Sequence, residues 1–179
     1  DCVPLCFGCF EESEQEICPA CGYYNKTVLS SLLLPHGTML RGQYSVGKIL
    51  GKSGGFGTTY LGYHQILQIK VAIKESLPSQ LVSRDVDGLT IRVNDPQEAE
   101  TFRNGIKQFL REARLLVKFN HPNIVRVIDF FEENGTAYLV MDYCQGVNLA
   151  EYIEQQGGTL SEQAVMNFIK PILEGLQEL

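Results

Sequence analysis

Residues 49–74 read ILGKSGGFGTTYLGYHQILQIKVAIK, and the reading of this stretch decides the fold. An apolar strand runs into a glycine cluster, Gly51, Gly54, Gly55 and Gly57. A second strand, Thr58–Tyr63, leaves it, and a third, Gln68–Lys74, follows a short turn. Glycines without Cβ let backbone N–H groups approach phosphate oxygens closely. A lysine on the neighbouring strand can reach the same phosphates as a point charge. Two other glycine-rich phosphate motifs fit poorly. A dinucleotide fingerprint would open a helix directly after its last glycine, whereas Thr58-Thr59-Tyr60-Leu61 is β-branched and aromatic and favours a strand. Gly51-Lys52-Ser53 mimics the end of a P-loop, which needs glycine at position 46, where Val46 stands. The stretch therefore predicts a β-hairpin lid over a nucleotide.

Downstream, Asp95-Pro96 offers a helix N-terminus, a capping side chain followed by proline in the first turn. Phe102, Ile106, Phe109, Leu110, Ala113, Leu116 and Val117 then keep helical spacing over about four turns. Glu112 lies on the flank of that apolar face; its plain alternative is a solvated helix glutamate, hydrogen-bonded at most to Gln108. Between Glu75 and Asn94, Leu81–Val86 and Leu89–Val93 flank Asp87-Gly88, a hairpin signal. Ile124–Phe131 and Thr136–Tyr143 form a further hairpin around Glu132–Gly135. Two helices close the chain, one over Leu149–Gln156 and one capped by Ser161.

The glycine lid followed at this distance by Val71-Ala72-Ile73-Lys74 resembles the N-terminal lobe of protein kinases. The ten-residue spacing from Glu112 to Pro122 in Asn120-His121-Pro122-Asn123 matches the same pattern. One departure is present: the kinase lid reads G-x-G-x-x-G, and here an extra residue separates Gly51 from Gly54. The resemblance implies an α+β fold, a kinase N-lobe of five antiparallel strands plus the αC helix, with an inserted β-hairpin. It implies that Lys74 reaches the ATP phosphates and that Glu112 orients Lys74. Leu50, Gly51, Gly54, Gly55, Gly57, Thr59 and Ala72 would enclose the nucleotide. Met141 would be the gatekeeper, with the backbones of Asp142 and Cys144 on the adenine edge. The implied cofactor is ATP with Mg²⁺, and the implied substrate is a protein hydroxyl in the full-length parent. Neither H-R-D…N nor D-F-G occurs in these residues, so the segment alone is expected to be inactive. Ser83-Arg84-Asp85 lacks the histidine of the catalytic triplet and comes too early; Asp129-Phe130-Phe131 lacks the glycine of D-F-G and reads as core. His121 reads as a structural member of its turn.

Five of the six cysteines fall in the first 21 residues. Cys6 and Cys9 form one C-x2-C, Cys18 and Cys21 another. Two such knuckles brought together give tetrahedral sulfur coordination, which suits a structural Zn²⁺. Two disulfides are the alternative, and Cys2 is the spare. The arrangement resembles the zinc ribbons found ahead of some bacterial kinases. The expected organisation is thus a ribbon over residues 1–24, a connector over 25–43, a kinase N-lobe with hinge over 44–144, and the start of the C-lobe over 145–179. The connector is expected to lie against the lobe, with His36 in an exposed turn.

A net charge of −6 and no basic tract argue against nucleic acid as a partner. The longest apolar run is too short to cross a bilayer, and a cytoplasmic location is the expectation. The apolar stripe Phe168, Ile169, Ile172 and Leu176 is expected either to pack against another copy of the chain or to belong to a poorly ordered tail. The primary reading is the ATP-binding portion of a serine/threonine protein kinase. The alternative is a non-catalytic pseudokinase lobe or zinc-ribbon adaptor.

Overall fold

The computed structural model describes residues 3–51 and 57–177. Gly54 and Gly55 of the lid, and the spare Cys2, lie outside the described residues. The elements in chain order are β1 (Met39–Leu40), β2 (Tyr44–Ile49), β3 (Gly57–His64), β4 (Ile69–Ser76), β5 (Val82–Arg84), β6 (Ile91–Val93), a 3₁₀ turn (Pro96–Glu98), α1 (Ala99–Leu116), β7 (Val127–Glu133), β8 (Thr136–Asp142), α2 (Leu149–Gln155) and α3 (Glu162–Leu176).

Among the described residues the main sheet is antiparallel, in the order β1-β2-β3-β4-β8-β7. Five of its strands are the expected ones. The sixth, β1, comes from the connector: Leu40 is fully buried and pairs with Tyr44. Two residues are too few to show a period, so this strand is invisible to pattern reading. The insertion forms its own two-stranded hairpin, β5-β6. The turn between β7 and β8 is tighter than the four residues expected. Only Asn134 and Gly135 turn, with φ of 53° and 73°; positive φ at both central positions suits the twist of a two-residue hairpin.

Side chains alternate across each strand. One face of the sheet buries Val46, Tyr60, Val71, Ile73, Tyr138 and Val140, closed over by Leu34 of the connector and by Leu89 of the insertion. Against the other face packs α1, which buries Phe102, Ile106, Leu110 and Ala113, spaced by three and four residues. Asp95 caps the 3₁₀ turn that leads into α1, its carboxylate accepting from the Gln97 N–H, while α1 itself begins after Glu98 without a side-chain cap. Asn148 and Ser161 cap α2 and α3 in the same way. The end of α3 meets the loop before β7, where Gly175 sits against Ile124 and Asn123. The rest of its apolar stripe is open, with Ile172, Leu173 and Leu176 each more than half exposed. Among the described residues no helix is long and apolar enough to cross a membrane.

Candidate functional site

The cleft lies between β4 and α1. Register pairs Lys74 with Thr59 and Leu139, and Ala72 with Leu61 and Met141. Residues directly opposite in a ladder point to the same face, so Thr59, Ala72, Lys74 and Met141 share one side of the sheet. Gly57 pairs with Ser76 at the rim of the lid. A Cβ there would lie 2.6 Å from the Glu75 carbonyl oxygen, so the close approach of the lid to β4 requires glycine. Gly51, where the lid departs from β2, has φ of 71°. Leu50 stands just before it, its N–H bonded to the Thr59 carbonyl.

A cavity of about 430 Å³ opens beside Lys74 and is lined across from it by Phe102, Gly105, Phe109 and Glu112 of α1. Lys74 and Glu112 thus border one space and carry opposite charges. They are not joined: Glu112 Oε1 accepts a hydrogen bond from Gln108 Nε2 at 3.1 Å, one turn back, and both Lys74 and Glu112 are exposed. An exposed ammonium at the wall of a cavity can neutralise a bound polyanion. At the far end of β8, Met141 is half-buried, and Asp142 pairs with Arg126 at 3.1 Å. The Asp142 N–H is engaged by the Arg126 carbonyl. Cys144 is an exposed free thiol.

The opposite face of β4 carries a feature that sequence reading missed. Glu75, next to Lys74, is fully buried and accepts from Arg84 at 2.9 and 3.0 Å. Both partners have no solvent exposure. The hydroxyls of Tyr60 and Tyr138 each donate to the same carboxylate at 3.0 Å. Arg84 also donates from Nε to the Leu32 carbonyl and from Nη1 to the Leu89 carbonyl. Burial raises the Glu75 carboxyl above the usual carboxylate range, while the Arg84 charge and the four hydrogen bonds pull it down. Burial, reinforced by the Glu75 charge, also raises both tyrosine hydroxyls and keeps them donors. Arg84 therefore has no part in a displaced catalytic triplet; it is the counter-ion of a buried acid.

Asp129 is not core. It binds the Arg41 guanidinium at 2.6 Å and the Tyr44 hydroxyl at 3.0 Å, fastening the connector to β7. His36 is not an exposed turn residue: it is half-buried, stacks on Phe7 at 5.0 Å and hydrogen-bonds Tyr23 Oη at 3.0 Å. His121 is structural as expected, its Nδ1 accepting the Asn123 N–H.

The cysteine segment folds as two matched knuckles. The Phe10 N–H bonds the Cys6 carbonyl and the Gly22 N–H bonds the Cys18 carbonyl, each at 2.7 Å. Phe10 and Gly22 both take positive φ, 56° and 71°. A side chain is costly there, and Phe10 uses its own to stack on Tyr63 at 5.3 Å. The four sulfurs of Cys6, Cys9, Cys18 and Cys21 lie within 4.8 Å of one another. Cys6–Cys21 and Cys9–Cys18 are each 3.7 Å apart, and all four cysteines are free. Those separations exclude S–S bonds. They match the edge of a sulfur tetrahedron, roughly 3.8 Å for a Zn–S distance of about 2.3 Å. Burial pushes the Cys9 thiol up to about 12 and raises Cys6, whereas Cys18 is lowered to about 7, burial there being outweighed by hydrogen bonds from the Cys21 and Ala20 backbones and from neighbouring thiols. The cluster could hold a metal ion. The knuckles dock on the lobe through the Phe7 carbonyl, which accepts from the Lys48 N–H, and through a Glu11–Lys70 ion pair of 2.8 Å.

With this geometry in place, comparison with known proteins gives a consistent result. A model of the protein kinase domain matches residues 44–179. The chain belongs to the protein kinase family. Serine/threonine-protein kinase ATG1b of Arabidopsis thaliana is 33% identical over 138 residues, 77% of this chain and 16% of that kinase. Serine/threonine-protein kinase B of Synechocystis is 31% identical over 159 residues, 88% of this chain and 23% of that one, a likeness that reaches ahead of Tyr44. Among solved structures, the apo form of PpkA-294 superposes with a TM-score of 0.70 and 34% identity, over 76% of this chain and 47% of that one. The Mycobacterium tuberculosis PknI kinase domain, 22% identical with a TM-score of 0.56, shares the fold. This kinase segment spans a sixth to a quarter of such curated relatives and about half of the solved kinase chains.

Proposed function

We propose that the chain is the nucleotide-binding part of a serine/threonine protein kinase that transfers the terminal phosphoryl of ATP to protein hydroxyls. One observation supports this reading: Lys74 of β4 and Glu112 of α1 border a single cavity. Lys74 would hold the phosphates, and Glu112 would move from Gln108 to Lys74 when nucleotide binds. Gly51, Gly54, Gly55 and Gly57 would bring backbone N–H groups over the phosphates. Leu50, Thr59 and Ala72 would pack on the base. Met141 would back the adenine pocket. Asp142 would offer its carbonyl to the adenine, its N–H being taken, and Cys144 its backbone. Mg²⁺ supplies charge neutralisation of the triphosphate when bound.

The Gln108–Glu112 bond also favours a second reading, a non-catalytic lobe. Thermal shift separates the two. A rise in Tm with ATP and Mg²⁺ that is lost in Lys74→Ala supports nucleotide binding; no rise in the unsubstituted chain supports the adaptor reading.

At the other end of the chain, Cys6, Cys9, Cys18 and Cys21 would hold one Zn²⁺ in a closed, structural site. The ion would supply most of the folding free energy of so small a segment. Elemental analysis should find about one zinc per chain, and none after Cys18→Ser.

A further inference from the structure

Between β4 and α1 the chain makes an excursion, residues 77–98, that contains the β5-β6 hairpin. This excursion touches both walls of the cleft. Leu77, Val82 and Ile91 join one buried cluster with Phe102, Ile106 and Leu110 of α1. Ile91 also donates its N–H to the Asn134 carbonyl, resting β6 on the β7-β8 turn. The hairpin is itself held by Arg84. Its guanidinium bonds Glu75 of β4, the Leu32 carbonyl of the connector and the Leu89 carbonyl of the hairpin loop. A further ring of bonds extends the hold: Tyr138 takes a bond from Asn134, and Tyr60 takes the Leu34 N–H. No buried side-chain nitrogen or oxygen among the described residues lacks a partner. The network is therefore complete, and a complete buried network has one arrangement.

We propose that Arg84, through its buried pair with Glu75, is a positioning residue for α1 and so for Glu112. Glu75 and Lys74 are adjacent on β4 and point to opposite faces. A hairpin locked to Glu75 is thus locked to the strand that carries Lys74, and it hands α1 to the cleft at a fixed distance. Lys74 and Glu112 stand on the two bodies that this lock joins. The proposal rests on the kinase reading for its consequence in nucleotide binding, and on the structure alone for its consequence in α1.

The test separates the two. Arg84→Met alone leaves a buried unpaired carboxylate and invites unfolding, so the informative variant is Glu75→Gln with Arg84→Met, which removes both charges and leaves the tyrosines an amide oxygen to bond. Hydrogen exchange is measured on the full chain, and ATP–Mg²⁺ affinity by calorimetry. The expected result is a folded double variant whose α1 amides, residues 102–116, exchange at least tenfold faster while those of β3 and β8 keep their rates. Its nucleotide affinity should fall at least fivefold, and Arg84→Lys, which keeps the charge without the fork, should recover part of both. Unchanged α1 exchange relative to the sheet in a folded variant overturns the proposal. If the double variant does not fold, Arg84→Lys decides the matter: it must loosen α1 selectively, and equal acceleration everywhere overturns the proposal. Absence of ATP binding in the unsubstituted chain would instead overturn the kinase reading and leave the exchange result to judge Arg84.

Discussion

The two faces of β4 are finished in different ways. On one, Val71, Ile73 and Glu75 disappear under the connector and the inserted hairpin, and the one charge among them is neutralised by Arg84. On the other, Ala72 is buried while Lys74 stands exposed at a cavity wall, its prospective partner Glu112 turned to Gln108. A strand can therefore be wholly committed on one side and open on the other, because alternate residues never compete for the same space.

Substitutions should separate the faces sharply. The largest effect belongs to the closed side. Leu34→Ala empties a fully buried position and should cost about 2–5 kcal/mol in urea unfolding; a loss under about 1 kcal/mol would mean that the connector is not part of the core. Tyr138→Phe removes one donor from the buried Glu75 carboxylate and should cost about 1–3 kcal/mol, with nucleotide binding kept. On the open side, Gly105 lies in the interior of α1, and a Cβ there would meet nothing within 4 Å. Gly105→Ala should stabilise by about 1 kcal/mol, read as a higher Tm. The smallest change in stability is expected for Lys74→Met, within about 0.5 kcal/mol of the parent as for an exposed side chain, yet this variant should lose the ATP-dependent rise in Tm completely. A large destabilisation by Lys74→Met would show that the cleft is part of the fold, and the contrast between the faces would fail.

The site is more legible in the sequence than its support. The lysine-bearing strand, the helix α1 and the paired C-x2-C knuckles are each written within a few consecutive residues, where local chemistry decides conformation. Asn148 caps as expected, and Asp95 caps the 3₁₀ turn ahead of α1, because a cap needs only its own next turn. Glu75 and Arg84 carry no such signal. They are nine residues apart, in segments whose meeting depends on tertiary burial, and a buried acid looks like any other in a sequence. His36 escapes for the same reason: Pro35 and Gly37 announce a turn, and nothing nearby announces that Phe7 and Tyr23 will fold over it. The place of Glu112 beside the cleft follows from helical spacing, but its bond does not, because Gln108 one turn back competes with a lysine across the cleft.

Gly47 sits in the middle of β2, where a single methyl group would lie 2.4 Å from the Phe7 carbonyl oxygen and 2.9 Å from the Phe10 ring. The cysteine module can therefore press flat against the lobe only because this residue has no side chain. Adding that methyl would act as a wedge, prising the module away while leaving all four thiols and every element of the cleft chemically intact.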